Sequence, residues 1–447
     1  MSKAELESKH LAELHALAAK AGIPRYRMLP REQLVEELLV HGDANSSPAT
    51  EEEAEEKAPA EERPARRRRR GRRGGGERQR REPAEGEGAR EEKAEAEEAE
   101  GEEVTGVLDV LPQGHGFARL GGLEPGEEDV YVSASQIRRC ELRPGDEVTG
   151  LARPPRRGER HRALVRVEKV NGDEPAADRE DSFDQLTPVP PSRRIPLHAE
   201  RDDVLVRAAD LLAPLAYGQR VLVLAAPRSG RTTLLRGLVQ AIIAAPEAPS
   251  VVVLLVDERP EEVTEWRRLV PDAEIAAAAA DLEPADQVRH AELAIARARR
   301  RAEAGEDVVF VVDSLTRLGV AHRDPAAVKP LFGSGRELEE EGSGSLTVIA
   351  TVLTGTDDGD GAAEAVETTE NSTLALDPEL AAAGTVPALD VARSGVSREE
   401  TLRDPDELEA ARKLRERLRD KSPAEAAEEL AGMIRGSESN SELLRSL

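Results

Sequence analysis

Cysteine is almost missing from this 447-residue chain, where Cys140 stands alone. A single thiol excludes an internal disulfide framework and any multi-cysteine zinc site. Aromatic residues are as scarce, with one Trp, three Tyr and four Phe, and hydrophobic residues reach only 38%. Part of the chain therefore has too little apolar surface to build a core. No apolar run approaches the roughly 20 residues of a membrane span, and Val251–Val256 reads as a short buried strand instead. The first ten residues, MSKAELESKH, are charged and amphipathic, with no secretory hydrophobic region. The expectation is a cytoplasmic protein of about three domains, with no membrane association.

Charge is abundant but unevenly placed. The formal net charge is −26, from 89 acidic and 63 basic side chains. Residues 51–103 contain 19 Glu and 14 Lys or Arg, with eleven of the Arg gathered between Arg63 and Arg81. With no aromatic residue this segment cannot offset its ordering entropy, so disorder is expected over 46–103. The arginine block reads either as a solvated linker paired with its acidic flanks or as a non-specific RNA-tethering arm. Before it, Ser2 and Glu5 have capping-box spacing, and Leu6, Leu11, Leu14 and Leu17 share a helical face. Pro30 can open a second helix, so 1–45 reads as a small helical module.

Beyond residue 103 the texture becomes β. Val104–Leu111, Gly116–Leu120, Asp129–Val132, Asp146–Leu151 and Ala163–Val170 are short β-branched runs between Gly and Pro turns. Five such strands fit a small closed OB-type barrel over 104–172. Residues 136–170 carry ten Lys or Arg against five acids. Phe117 and Tyr131 fall on candidate strands, beside Arg119, Arg160 and Arg162. Taken singly each ring would pass for barrel core. Together with those cations they form a stacking platform for single-stranded nucleic acid.

From about residue 200 strands and helices alternate, which predicts a doubly wound, mostly parallel sheet. Val221–Ala225, Val251–Val256, Val308–Val312 and Leu346–Val352 are the buried strands, and Ala285–Ala304 is helical. AAPRSGRTTLL, at 225–235, follows the first strand and opens a helix. Against the phosphate-loop pattern G-x-x-x-x-G-K-[ST], Ala225 takes the first position, Gly230 the second glycine, Arg231 the lysine and Thr232 the hydroxyl. Backbone N–H groups around Ser229–Thr232 would cradle phosphates, and Thr232 could help hold Mg²⁺. Asp257 and Glu258 end a second strand and Asp313 a third, converging on one crevice as a nucleotide site requires.

The chain resembles the bacterial transcription termination factor Rho family through DERPEEVTEW (257–266), VVDSLTRLGVAHR (311–323), VYVSASQIRR (130–139), PPRRGER (154–160) and FDQLTPVPP (183–191). The resemblance implies an OB-fold, cold-shock-like barrel at 104–172 and a connector at 173–200. It also implies a RecA-like P-loop ATPase domain with C-terminal helices at 201–447. Its implied activity is RNA-dependent ATP hydrolysis by a homohexameric ring that moves along nascent single-stranded RNA and releases it from RNA polymerase. By position, the RNA site comprises Gly114, His115, Gly116, Phe117, Ala118 and Arg119, then Asp129, Val130 and Tyr131, then Glu159, Arg160 and His161. The ATP site comprises Tyr217, Gly218, Gln219 and Arg220, then Arg228, Ser229, Gly230, Arg231, Thr232 and Thr233, with Arg259. Glu258 is the implied catalytic carboxylate, Asp313 joins Thr232 at Mg²⁺, and Arg393 is an arginine finger reaching a neighbouring subunit's ATP.

Departures from the family pattern cluster in the motor. Arg231 replaces a lysine, the loop expected after His322 is shortened, Glu367 replaces a pore lysine, and Gly384 takes an arginine's position. His115 and His161 stand where the family has aromatic residues. Two readings follow: an RNA-translocating terminator with altered pore contacts, or an RNA-binding paralogue with weak or absent ATPase and helicase activity that modulates termination.

Overall fold

A computed structural model describes residues 101–175, 182–340 and 342–447. The expected helical module at 1–45, and the linker up to residue 100, lie outside the described residues. The first strand begins at Glu102, two residues ahead of the expected barrel boundary.

Five strands close the barrel: β1 (Glu102–Val110), β2 (Gly116–Arg119), β3 (Val130–Val132), β4 (Glu147–Arg153) and β5 (Arg162–Val170), in the order β1-β2-β3-β5-β4. All pairings are antiparallel except β3 with β5. Alternate residues point inward, so Val104, Leu108, Ala118, Val130, Val132 and Val148 form its core. Between β3 and β4 lies a helix the hydrophobic pattern does not announce, α1 (Ala134–Arg139). Its signal is local: Ser133 and Gln136 form a capping box. The Gln136 amide also donates to the Leu164 and Val165 carbonyls of β5.

The second domain is a sheet with helices on both faces. The strands β7 (Arg220–Ala225), β8 (Ser250–Val256), β9 (Glu274–Ala278), β10 (Asp307–Asp313), β12 (Ser345–Leu353) and β13 (Ser372–Ala375) run parallel in the order β13-β7-β12-β10-β8-β9. β14 (Gly395–Val396) adds an antiparallel edge, and β6 (Pro188–Val189) with β11 (Arg336–Leu338) extends β12. Burial on both faces explains the uninterrupted apolar runs. Along β8, Val251, Val253 and Leu255 enter one core while Val252, Leu254 and Val256 enter the other. The first core packs against α2 (Val204–Leu212) and α3 (Arg231–Ile243), the second against α5 (Pro284–Glu303). Further helices are α4 (Pro260–Leu269), α6 (Leu315–His322), α7 (Asp357–Val366) and, at the C-terminus, α8 (Pro405–Arg419), α9 (Pro423–Arg435) and α10 (Asn440–Arg445). The expected connector is partly core, since Phe183 and Ile195 are fully buried and β6 joins the sheet.

The barrel seats on α5. Asp109 meets Arg289 at 2.5 Å and Glu147 meets Arg297 at 2.6 Å. Gly145, at φ 84°, abuts the helix so closely that a Cβ there would lie 2.4 Å from the Arg297 nitrogen. Among the described residues no helix is long and apolar enough to cross a membrane.

Candidate functional site

Two groups of the expected residues come together, one at the carboxyl ends of the parallel strands and one on the barrel. In the first, β7 runs into the loop Ala226–Gly230, where Arg228 (φ 65°) and Gly230 (φ 93°) are left-handed. Only glycine adopts that conformation freely, and turns of this kind aim successive N–H groups to one side. Gly230 caps α3 without a side-chain bond, leaving the first-turn N–H groups for a ligand. Ser229 is buried with its hydroxyl unpartnered, and Thr232 and Thr233 begin the helix.

Arg231 leans across the crevice onto both strand-end carboxylates. Its Nε lies 3.0 Å from Asp313 Oδ1, and a terminal nitrogen lies 3.7 Å from Glu258 Oε1. The Nε proton is not aligned for a hydrogen bond, so the contact is one of charge. Asp313 also accepts from the Thr351 hydroxyl at 3.1 Å, while its Oδ2 is buried without a partner. Burial pushes the Asp313 carboxyl above its usual range, an effect the Arg231 charge opposes. The other oxygen of Glu258 pairs with the Arg317 guanidinium, which also donates to the Asp257 carbonyl at 2.7 Å. Arg317 and Thr351 were not foreseen, because they reach the site from α6 and from a neighbouring strand. Arg259 caps α4 and is exposed, and Arg393 is exposed ahead of the edge strand β14.

Tyr217, Gly218, Gln219 and Arg220 do not join this crevice. They precede or open β7, so the strand's own length, about 17 Å, separates them from the phosphate loop. There they serve packing. Tyr217 is buried under the Arg193 guanidinium, the Gly218 N–H donates to Thr347, and Gln219 bonds the backbone of Ala216 and Pro214. Arg220 donates to the Thr369 carbonyl at 2.5 Å and the Gly335 carbonyl at 2.7 Å. It thereby ties together the shortened segment after His322 and the segment containing Glu367. The first of these is a 3-10 turn, Pro325–Val328, followed by the one-turn helix Lys329–Phe332. Glu367 itself is exposed at the end of α7.

The barrel group is built by register. Phe117 on β2 lies directly opposite Tyr131 on β3, with ring centroids 6.0 Å apart. His115 approaches Tyr131 at 5.5 Å and Phe117 at 6.2 Å, and His161 meets Phe117 at 5.1 Å. Phe117, Tyr131 and His161 border a cavity of about 570 Å³ also lined by Arg139, Arg153, Glu159 and Arg160. Arg153 holds Glu159 through two bonds of 2.7 and 2.9 Å, and the Arg156 N–H adds a third.

Other expected contacts point inward. Ala118 and Val130 lie in the barrel core. Gly116 is buried where a Cβ would meet the Asp109 carbonyl at 2.6 Å, and Gly114 (φ 86°) turns the chain into β2. Arg119 is buried beneath Phe117, paired with Asp109 and, at 2.5 Å, with Asp129. Its charge is matched inside the protein and supports the ring from below. Sequence alone could not separate it from the exposed Arg160.

Comparison with known proteins agrees with this division. The family model "Rho termination factor, RNA-binding domain" matches residues 104–176. "ATP synthase alpha/beta family, nucleotide-binding domain" matches 206–329, and "Rho termination factor, N-terminal domain" matches 5–40. The transcription termination factor Rho of Aquifex aeolicus is 37% identical over 77% of this chain and 84% of that protein. Those of Bacillus subtilis and Rhodopirellula baltica are 40% and 38% identical, over 66% and 76% of this chain and 74% and 71% of their own lengths. A solved ATPase from a type III secretion system aligns with 63% of this chain and 93% of its own at 21% identity, with a TM-score of 0.47, too loose to add to the fold. By sequence relationship and by the pairing of barrel and nucleotide domain, the chain belongs to the transcription termination factor Rho family.

Proposed function

We propose that this chain is a cytoplasmic transcription terminator that grips nascent single-stranded RNA at its barrel and hydrolyses ATP to pull that RNA through a homohexameric ring, freeing it from RNA polymerase. The observation that carries the reading is the meeting of Arg231, Glu258 and Asp313 at the end of the sheet, with a separate ring platform on the same chain.

The residues divide the work. The loop Arg228–Thr233 receives the triphosphate on backbone N–H groups, and Arg231 supplies positive charge to it. Glu258, steered by Arg317, orients the attacking water and accepts its proton. Asp313 and Thr232 would hold Mg²⁺, and the buried, unpartnered Asp313 Oδ2 fits the cation's water shell. When bound, that ion neutralises charge on the β- and γ-phosphates. Arg393 completes the site from the adjoining subunit, where a guanidinium counters the charge that develops in transfer. On the barrel, Phe117 and Tyr131 stack bases while Arg160 meets the backbone.

Steady-state ATP hydrolysis by the purified protein, with and without a pyrimidine-rich RNA, tests this. Hydrolysis that rises with RNA is expected. Its absence with every RNA tried would overturn the enzymatic assignment.

A further inference from the structure

β12 is buried along almost its whole length, and a hydroxyl there costs free energy unless its proton finds an acceptor. Valine has nearly the same shape and would need no partner. The strand nevertheless carries Thr351, fully buried, with its Oγ1 3.1 Å from Asp313 Oδ1 and 3.3 Å from the Val312 carbonyl oxygen. One hydroxyl proton serves one acceptor at full strength, and a carboxylate is a stronger acceptor than a backbone carbonyl.

Strand order explains the meeting. β12 lies between β7, which leads into the phosphate loop, and β10, which ends at Asp313. The end of β12 is pinned on both sides. The Leu353 N–H donates to the Thr316 hydroxyl of α6 at 3.0 Å, and the Thr354 N–H donates to the Ala225 carbonyl at 3.0 Å. Thr351 therefore acts from a rigid element. Oδ1 of Asp313 is held twice, by the Thr351 proton and by the Arg231 charge at 3.0 Å, while Oδ2 is buried without a partner. The two holds differ in permanence. Arg231 opens α3 beside the phosphate loop, so an entering triphosphate competes for it. Thr351 belongs to an interior strand and keeps its partner.

Resting on the nucleotide reading above, we infer that Thr351 is a positioning residue. It holds Asp313 by Oδ1, so that Oδ2 stays available to the Mg²⁺ of bound nucleotide after Arg231 has turned to the phosphates. Thr351 touches neither nucleotide nor cation in this role. Loss of such a supporting bond weakens metal affinity by about 10- to 100-fold.

The experiment is the Mg²⁺ dependence of binding of a fluorescent ADP analogue to the full-length protein, read by anisotropy without turnover. Thr351→Val keeps the shape and removes the donor, whereas Thr351→Ser keeps the donor. Thr351→Ala removes the donor with the least bulk, in case thermal unfolding shows that valine upsets the fold. The Mg²⁺ concentration giving half the effect should rise about 10- to 100-fold in Thr351→Val and Thr351→Ala, and stay within about threefold in Thr351→Ser. With EDTA in place of Mg²⁺ each variant should bind the analogue like the unaltered protein. An unchanged Mg²⁺ requirement without the hydroxyl, a loss equally large in EDTA, or a loss that serine does not rescue would overturn the inference and leave nucleotide binding standing. An unaltered protein that fails to bind the analogue, with or without Mg²⁺, would overturn both.

Discussion

Arg231 is the cation that both strand-end carboxylates share. A lysine at this place is a compact point charge, whereas guanidinium is planar and reaches further. Here that reach lets it span Asp313 and Glu258 at once. An incoming triphosphate therefore competes with two carboxylates for the same cation. Arg231→Lys should shorten the reach and loosen this hold, raising RNA-stimulated turnover by about 3- to 30-fold with the fold unchanged, as read by steady-state hydrolysis and thermal unfolding. Unchanged turnover would mean that Arg231 leaves the carboxylates without cost. Glu258→Gln keeps the shape of the site but removes the proposed base, and hydrolysis should fall by about 10²- to 10⁴-fold while nucleotide still binds. A fluorescent ADP analogue separates the two effects.

Among the elements, the barrel and the nucleotide domain meet at α5, the contact that a signal from bound RNA would have to cross. Gly145 is required there twice, by its positive φ and by its contact with the helix backbone. Gly145→Ala should cost about 1–3 kcal/mol in stability and tilt the barrel off α5. RNA affinity should survive while RNA stimulation of hydrolysis declines. Equal stimulation in the variant would show that the signal travels elsewhere. At the start of the interior strand β7, Arg220 binds two carbonyls, from the segment after His322 and from the segment containing Glu367. That clamp belongs to strand β7 and its neighbours, and it places Tyr217–Arg220 a strand's length from the phosphate loop of their own chain.

At the scale of the whole molecule, Arg393 stands exposed ahead of β14, free to face another subunit. If it completes a neighbour's site, Arg393→Ala and Glu258→Gln proteins should each be nearly inactive. Mixed in equal amounts they should recover hydrolysis above the sum of the two, because some interfaces then hold an intact Glu258 facing an intact Arg393. Activity in the mixture no greater than that sum would place the finger within its own chain or nowhere.

Composition and periodicity were enough to mark the barrel and the parallel sheet. Continuous apolar runs predicted strands buried on both faces, short β-branched runs between Gly and Pro turns predicted a barrel, and carboxylates at strand ends predicted the crevice. β9 escaped notice because EIAAA has none of the β-branched density of its neighbours, and only its pairing with β8 makes it a strand. Tertiary structure decided which charges are free. Arg119 and Arg160 look alike in sequence, yet one is buried between two aspartates and the other faces the cavity. The reason is physical: sequence spacing records what is near along the chain, whereas the energy of a charge depends on what surrounds it in space.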